Sequence, residues 1–188
     1  LLDACLEATT RYALALQRAG AHGTSLGELG SDIISPAMYR RLVLPRLKKF
    51  YGAMRAAGFP ASLHQCGNTA AVLPDMVSSG AEILELDPRT SLGAAKDATR
   101  GKAAVLGMVD PAAVLHRGTP ASVEEKSRAA IEALGPGGGF ILGPGCALVP
   151  ETPEENVAAL VECAARYGRY ARDGALIGYL QAEKEPTP

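Results

Sequence analysis

Leu63-His64-Gln65-Cys66-Gly67-Asn68 puts an imidazole and a thiol two residues apart, where an apolar run stops and a glycine begins. Side chains at i and i+2 of a β-strand point the same way. If Ala61–Gln65 is a strand, His64 and Cys66 project together from its C-terminal end as a pair of soft metal ligands. A second thiol follows another short apolar run, in Phe140-Ile141-Leu142-Gly143-Pro144-Gly145-Cys146. A His-x-Cys pair with one distant Cys, each at a strand end, suits an open zinc site better than a closed structural one. The competing reading is that these are small core cysteines and a satisfied core histidine. Glycine next to each thiol and the strand-end position favour the ligand role.

The rest of the chain alternates. Apolar periodicity predicts helices over Leu1–Ala19, from Pro36 to Ala57 with a break or bend at Pro45, and over 69–79, 92–99, 122–134 and 153–167. Strands are expected at 22–28, 61–65, 81–86, 103–109 and 140–142. Ser35-Pro36 and Thr152-Pro153-Glu154-Glu155 carry helix-start chemistry: an N-cap hydroxyl, a proline at the first helical position and, in the second case, acids in the first turn. Strand followed by helix, five times over, implies a parallel sheet with right-handed crossovers.

Glu28, His64, Cys66, Asp87, Asp110 and Cys146 then all fall at strand C-terminal ends, where a (β/α)8 TIM barrel keeps its site and where an open doubly wound sheet would also bind ligands. Five strands cannot close an eight-stranded barrel, and a barrel takes about 250 residues. The expected fold class is therefore α/β, the C-terminal five β/α units of a TIM barrel. The first strands would be missing or supplied elsewhere, and the start at Leu1 without Met fits a chain cut from something longer. The 188 residues form one domain on this reading, with 171–188 a polar, frayed tail.

Composition removes several function classes. A formal net charge of -1 leaves no basic footprint for nucleic acid and no polybasic membrane patch. No apolar run approaches the roughly 20 residues that span a bilayer. Four cysteines in a chain of this length make no disulfide framework, which suits a reducing, cytoplasmic setting. Cys5 and Cys163 sit within helical stripes and are expected in the core. Gly137-Gly138-Gly139 is no phosphate loop, because it enters a strand and no Lys-Ser/Thr follows. Glu28, in a Gly-flanked turn that continues through Gly30, would bind substrate, orient a ligand or merely turn the chain. Asp110 would contact substrate or cap the next helix.

Ser35-Pro36-Ala37-Met38-Tyr39 with Leu44-Pro45, then Leu63-His64-Gln65-Cys66-Gly67-Asn68, Gly107-Met108-Val109-Asp110-Pro111, Gly118-Thr119-Pro120, Gly139-Phe140-Ile141-Leu142 with Gly145-Cys146, and Thr152-Pro153-Glu154-Glu155-Asn156-Val157 occur in an order and spacing that resemble the uroporphyrinogen decarboxylase-like superfamily. The likeness runs from about Gly20 to Tyr170. Within it, His-x-Cys with a distant Cys resembles the corrinoid-dependent methyltransferase branch and not the decarboxylases proper. The resemblance implies zinc held by His64, Cys66 and Cys146, with Asp87 as a possible fourth ligand and Glu85 two residues back on the same face. It also implies a corrinoid protein as partner and a small methyl donor or thiol acceptor as substrate. The alternatives are a decarboxylase, or a partial barrel that binds a tetrapyrrole or a partner without turnover.

Overall fold

The computed structural model describes residues 1–28 and 33–177. Its centre is a parallel sheet of five strands in the order β1-β2-β3-β4-β5. The strands are β1 Thr24–Glu28, β2 Ala61–Gln65, β3 Ile83–Leu86, β4 Ala104–Val109 and β5 Phe140–Pro144. Helix α1 (Leu2–Arg18) precedes β1, and a short α2 (Pro36–Met38), α3 (Leu44–Ala56), α4 (Leu73–Ser78), α5 (Leu92–Thr99), α6 (Pro120–Leu134) and α7 (Glu154–Tyr167) fill the crossovers. Sequential strand order with a helix after every strand is the layout of five consecutive β/α units of a TIM barrel, the expected class. None of the described helices is long and apolar enough to cross a membrane.

Register separates the two faces of the sheet. Leu26, Leu63, Leu84, Val105 and Phe140 lie side by side across all five strands. Leu63 and Leu84 are completely buried, packed with Phe50, Met54, Leu73 and Met76 from the helices. One residue further along each strand comes the row Gly27, His64, Glu85, Leu106 and Ile141, which alternation turns to the opposite, barrel-interior face. Here Ile141 is 42% exposed. The helix-covered face carries the core and the interior face carries the chemistry.

Local chemistry accounts for most element ends. Ser35 accepts from the Met38 N–H and starts α2; Thr119 and Ser122 form a reciprocal capping pair at α6. Three details differ from the sequence reading. Pro45 does not break its helix: it sits in the first turn of α3, where its missing N–H costs nothing, and the irregularity lies upstream as a π-helical turn, Tyr39–Val43. A second π-helical turn, Pro111–His116, fills the connection after β4. The helix expected over 69–79 is shorter, at Leu73–Ser78.

The expected fraying from residue 171 is not seen through residue 177. Tyr170 and Leu176 form an antiparallel bridge, and Leu176 is buried against Ile131, Cys163 and Tyr167. The remainder of the expected tail, 178–188, lies outside the described residues, as does the 29–30 portion of the Gly-rich turn. Cys163 is in the core as expected, but Cys5 is exposed. It borders a groove between α1 and α3 without filling it.

Candidate metal centre

Three donor atoms meet at the C-terminal end of the sheet. His64 Nε2 stands 3.1 Å from Cys66 Sγ and 3.5 Å from Cys146 Sγ, and the two sulfurs are 3.6 Å apart. Among the described residues these three are the group able to share one ion, with their ligand atoms all within 4.8 Å of one another. Zinc–sulfur bonds of about 2.3 Å and zinc–nitrogen bonds of about 2.0 Å put tetrahedral ligands about 3.8 Å (S to S) and about 3.5 Å (N to S) apart. The observed spacings lie close to that pattern, so the residues fit a tetrahedral metal with one position left over. All three are part-buried, and all four cysteines of the chain are free thiols.

The local sequence builds this meeting point. His64 is on the interior row of β2, and Cys66 follows it two residues later, at the turn formed by Gly67 (φ 94°). Cys146 arrives from β5, whose end crosses over β4 and β3. There Gly145 donates its N–H to the Val109 carbonyl at 2.8 Å. A Cβ on Gly145 would lie 2.8 Å from the Leu86 carbonyl oxygen and 2.5 Å from Pro88 Cδ. A Cβ on Gly107 would lie 3.0 Å from the Gly145 Cα. Gly107 and its neighbour Met108 both hold positive φ, 108° and 78°, so backbone strain is concentrated directly beneath the Cys146 loop. Burial pushes the Cys66 thiol up to about 11, and the neighbouring Cys146 sulfur adds to the effect. A metal bound here would have to displace that proton, so its uptake would release protons and strengthen as pH rises.

The other candidate residues go elsewhere. Asp87, considered as a fourth ligand, has both oxygens engaged: Oδ2 accepts from Gly67 N–H at 2.8 Å and from Arg89 Nη2 at 3.0 Å, and Oδ1 accepts from Arg89 N–H and Nε. Burial by itself favours the protonated form, but those hydrogen bonds outweigh it and hold the carboxyl below the usual carboxylate range. It clasps the Cys66-Gly67 turn to the β3 loop and stands outside the metal group. Asp110 caps the π-helical turn, its Oδ1 accepting from the N–H groups of Ala112 and Ala113 at 2.8 Å each.

Glu28 pairs in register with Gln65, two residues beyond Leu26 and Leu63 and on the same face of the sheet. Its side chain therefore lies on the helix-covered face, opposite His64. Tyr39 donates to its Oε2 at 3.3 Å, and burial raises its carboxyl to about 7 although that hydrogen bond opposes the shift. The residue that sequence reasoning undervalued is Glu85. It pairs in register with His64, and its Oε1 lies 3.4 Å from His64 Nδ1. The signal was present: both residues are interior-facing positions of successive strands.

Comparison with known proteins adds the family. A model of the uroporphyrinogen decarboxylase (URO-D) family matches residues 1–167. The methylcobamide:CoM methyltransferase MtbA of Methanosarcina acetivorans is 34% identical over 169 residues, 89% of this chain and 48% of that protein. The uroporphyrinogen decarboxylase of Thermus thermophilus is 35% identical over 162 residues, 86% of this chain and 46% of that protein. Among solved structures, a methyltransferase from Methanosarcina mazei superposes with a TM-score of 0.81 at 30% identity, covering 89% of this chain and 48% of that one. The chain spans about half the length of the relatives it matches. Matched by that model over nearly its whole length, it belongs to the uroporphyrinogen decarboxylase family.

Proposed function

We propose that this chain carries the metal half of a corrinoid-dependent methyltransferase site, in which a methyl group moves between the corrinoid of a partner protein and a small thiol or methylated substrate. The observation that supports this reading is the convergence of His64 Nε2, Cys66 Sγ and Cys146 Sγ at spacings suited to zinc. Identity alone does not divide the family's two activities, since a methyltransferase and a decarboxylase match at 34% and 35%. The donor set supports the methyltransferase reading, because three converging soft ligands suit metal activation of a thiol or ether.

When bound, zinc supplies Lewis-acid activation of a thiol or of a methyl ether oxygen, with no redox change of its own. The residues of the chain do the rest. His64, Cys66 and Cys146 would hold the ion and leave a coordination position for substrate. The Gly145 crossing fixes Cys146, and the Asp87 clasp fixes the turn that carries Cys66. Glu28 and Asp110 have structural tasks in this scheme. A cytoplasmic setting belongs to the proposal, because thiols stay reduced there.

The test is incubation of the zinc-loaded protein with methylcobalamin and small thiols, coenzyme M among them. Methylcobalamin should be consumed as a thioether forms. Decarboxylation of uroporphyrinogen without methyl transfer would replace this reading with the decarboxylase one.

A further inference from the structure

We propose that Glu85 is a positioning residue: it holds the His64 ring in the tautomer and orientation that a metal needs and is not itself a ligand. The inference rests on the reading of His64, Cys66 and Cys146 as a metal site.

His64 and Glu85 face each other across the β2–β3 ladder, on the same interior row of the sheet. The ring points Nε2 at the two sulfurs. Nδ1 is on its other side, buried, and makes no hydrogen bond of acceptable geometry. Glu85 Oε1 stands 3.4 Å from it, an ion-pair distance one small side-chain adjustment away from a hydrogen bond. Both side chains are largely covered, at 15% and 23% exposure.

The chemistry of imidazole makes this placement consequential. Only one ring nitrogen of neutral histidine offers a lone pair, so donation from Nε2 requires the proton on Nδ1. A carboxylate at Nδ1 favours that tautomer, aligns the ring and makes Nε2 a stronger donor. Glu85 Oε1, at 3.4 Å, is placed to pair the buried Nδ1–H once the ring is held by a metal, and its removal would take away that acceptor. Glu85 is outside the group of atoms able to share one ion, and the neighbouring carboxylate, Asp87, is already bound to Gly67 and Arg89. Glu85 is thus the carboxylate positioned to serve the ring.

The experiment compares the protein with its Glu85→Ala and Glu85→Gln variants, each loaded with zinc and with cobalt(II). Zinc affinity is measured by competition with a chromophoric chelator, and the ligand set is read from the cobalt absorption spectrum. Glu85→Ala should weaken zinc binding by about 10- to 100-fold while keeping the cobalt ligand-field bands of the parent. Glu85→Gln, whose amide oxygen can still accept from Nδ1–H, should recover most of the loss. A changed cobalt spectrum in both variants would overturn the proposal and make Glu85 a ligand. Unaltered affinity in both would also overturn it. If the parent protein takes up neither metal, the reading of the site itself has failed, an outcome visible before any variant is made.

Discussion

Gly145 approaches Pro88 so closely that a β-carbon at position 145 would lie 2.5 Å from Pro88 Cδ. This contact between the ends of β5 and β3 sets where the next residue, Cys146, begins. It allows Cys146 Sγ to come within 3.6 Å of Cys66 Sγ, across 80 residues of sequence. The site depends on a place where the backbone has no room for a side chain.

Gly145→Ala should therefore damage the site without touching a ligand. The obstruction includes the Leu86 carbonyl at 2.8 Å, backbone that cannot swing aside. Overpacking of this kind costs about 1–3 kcal/mol. Urea unfolding should show that loss, and chelator competition should show weaker zinc binding. Wild-type affinity in this variant would mean that Cys146 does not rely on the crossing.

Replacing either thiol tests the donors directly. Cys66→Ser and Cys146→Ser should each lose stoichiometric zinc while keeping the far-ultraviolet circular dichroism of the parent, since neither sulfur belongs to the buried core. Retention of one zinc per chain in both would remove them from the ligand set.

Asp87→Ala should behave differently from the cysteine variants. It removes the buried charge-assisted hydrogen bond from Gly67, worth about 1.5–3 kcal/mol, and the ion pair with the more exposed Arg89, worth about 1 kcal/mol or less, and loosens the turn behind Cys66. Zinc binding should weaken but persist at saturating metal, with the cobalt spectrum unchanged. Loss of a cobalt ligand on this substitution would make Asp87 part of the coordination shell.

Glu28 gives a pH signature. Its carboxyl is raised from 4.5 to about 7 by burial, so between those values the folded state holds a proton that the unfolded state has released. Stability then falls as pH rises through that window and levels off above it. One pKa unit corresponds to about 1.4 kcal/mol, which caps the effect at about 3 kcal/mol, and solvent screening of the partly exposed group lowers it further. Urea midpoints at pH 5 and pH 8 should drop more for the parent than for Glu28→Gln. Equal drops would show that Glu28 is not the titrating group.

Much of the fold was legible because the strands are short and most are closed by Gly, Pro or Asp, and the crossovers carry their own start and stop residues. The parallel order and the three donors followed from that alternation. What was not legible depended on register and loop contacts. Glu28 and His64 both sit at strand ends, yet pairing of Glu28 with Gln65 turns it to the opposite face. Asp87 and Asp110 also sit at strand ends, but nearby N–H groups claim their oxygens. Pattern shows that a carboxylate is near the site, whereas local hydrogen-bond donors decide what it faces. The π-helical turns had no sequence signal beyond the two prolines near them.

The most direct test of the central claim is the zinc content of the protein, purified under reducing conditions in zinc-supplemented medium and freed of loosely held metal. The account predicts about one zinc per chain, lost when Cys66 or Cys146 is replaced by Ser. Absence of zinc from the parent protein would contradict it, and would return His64, Cys66 and Cys146 to a hydrogen-bonded cluster with no metal to hold.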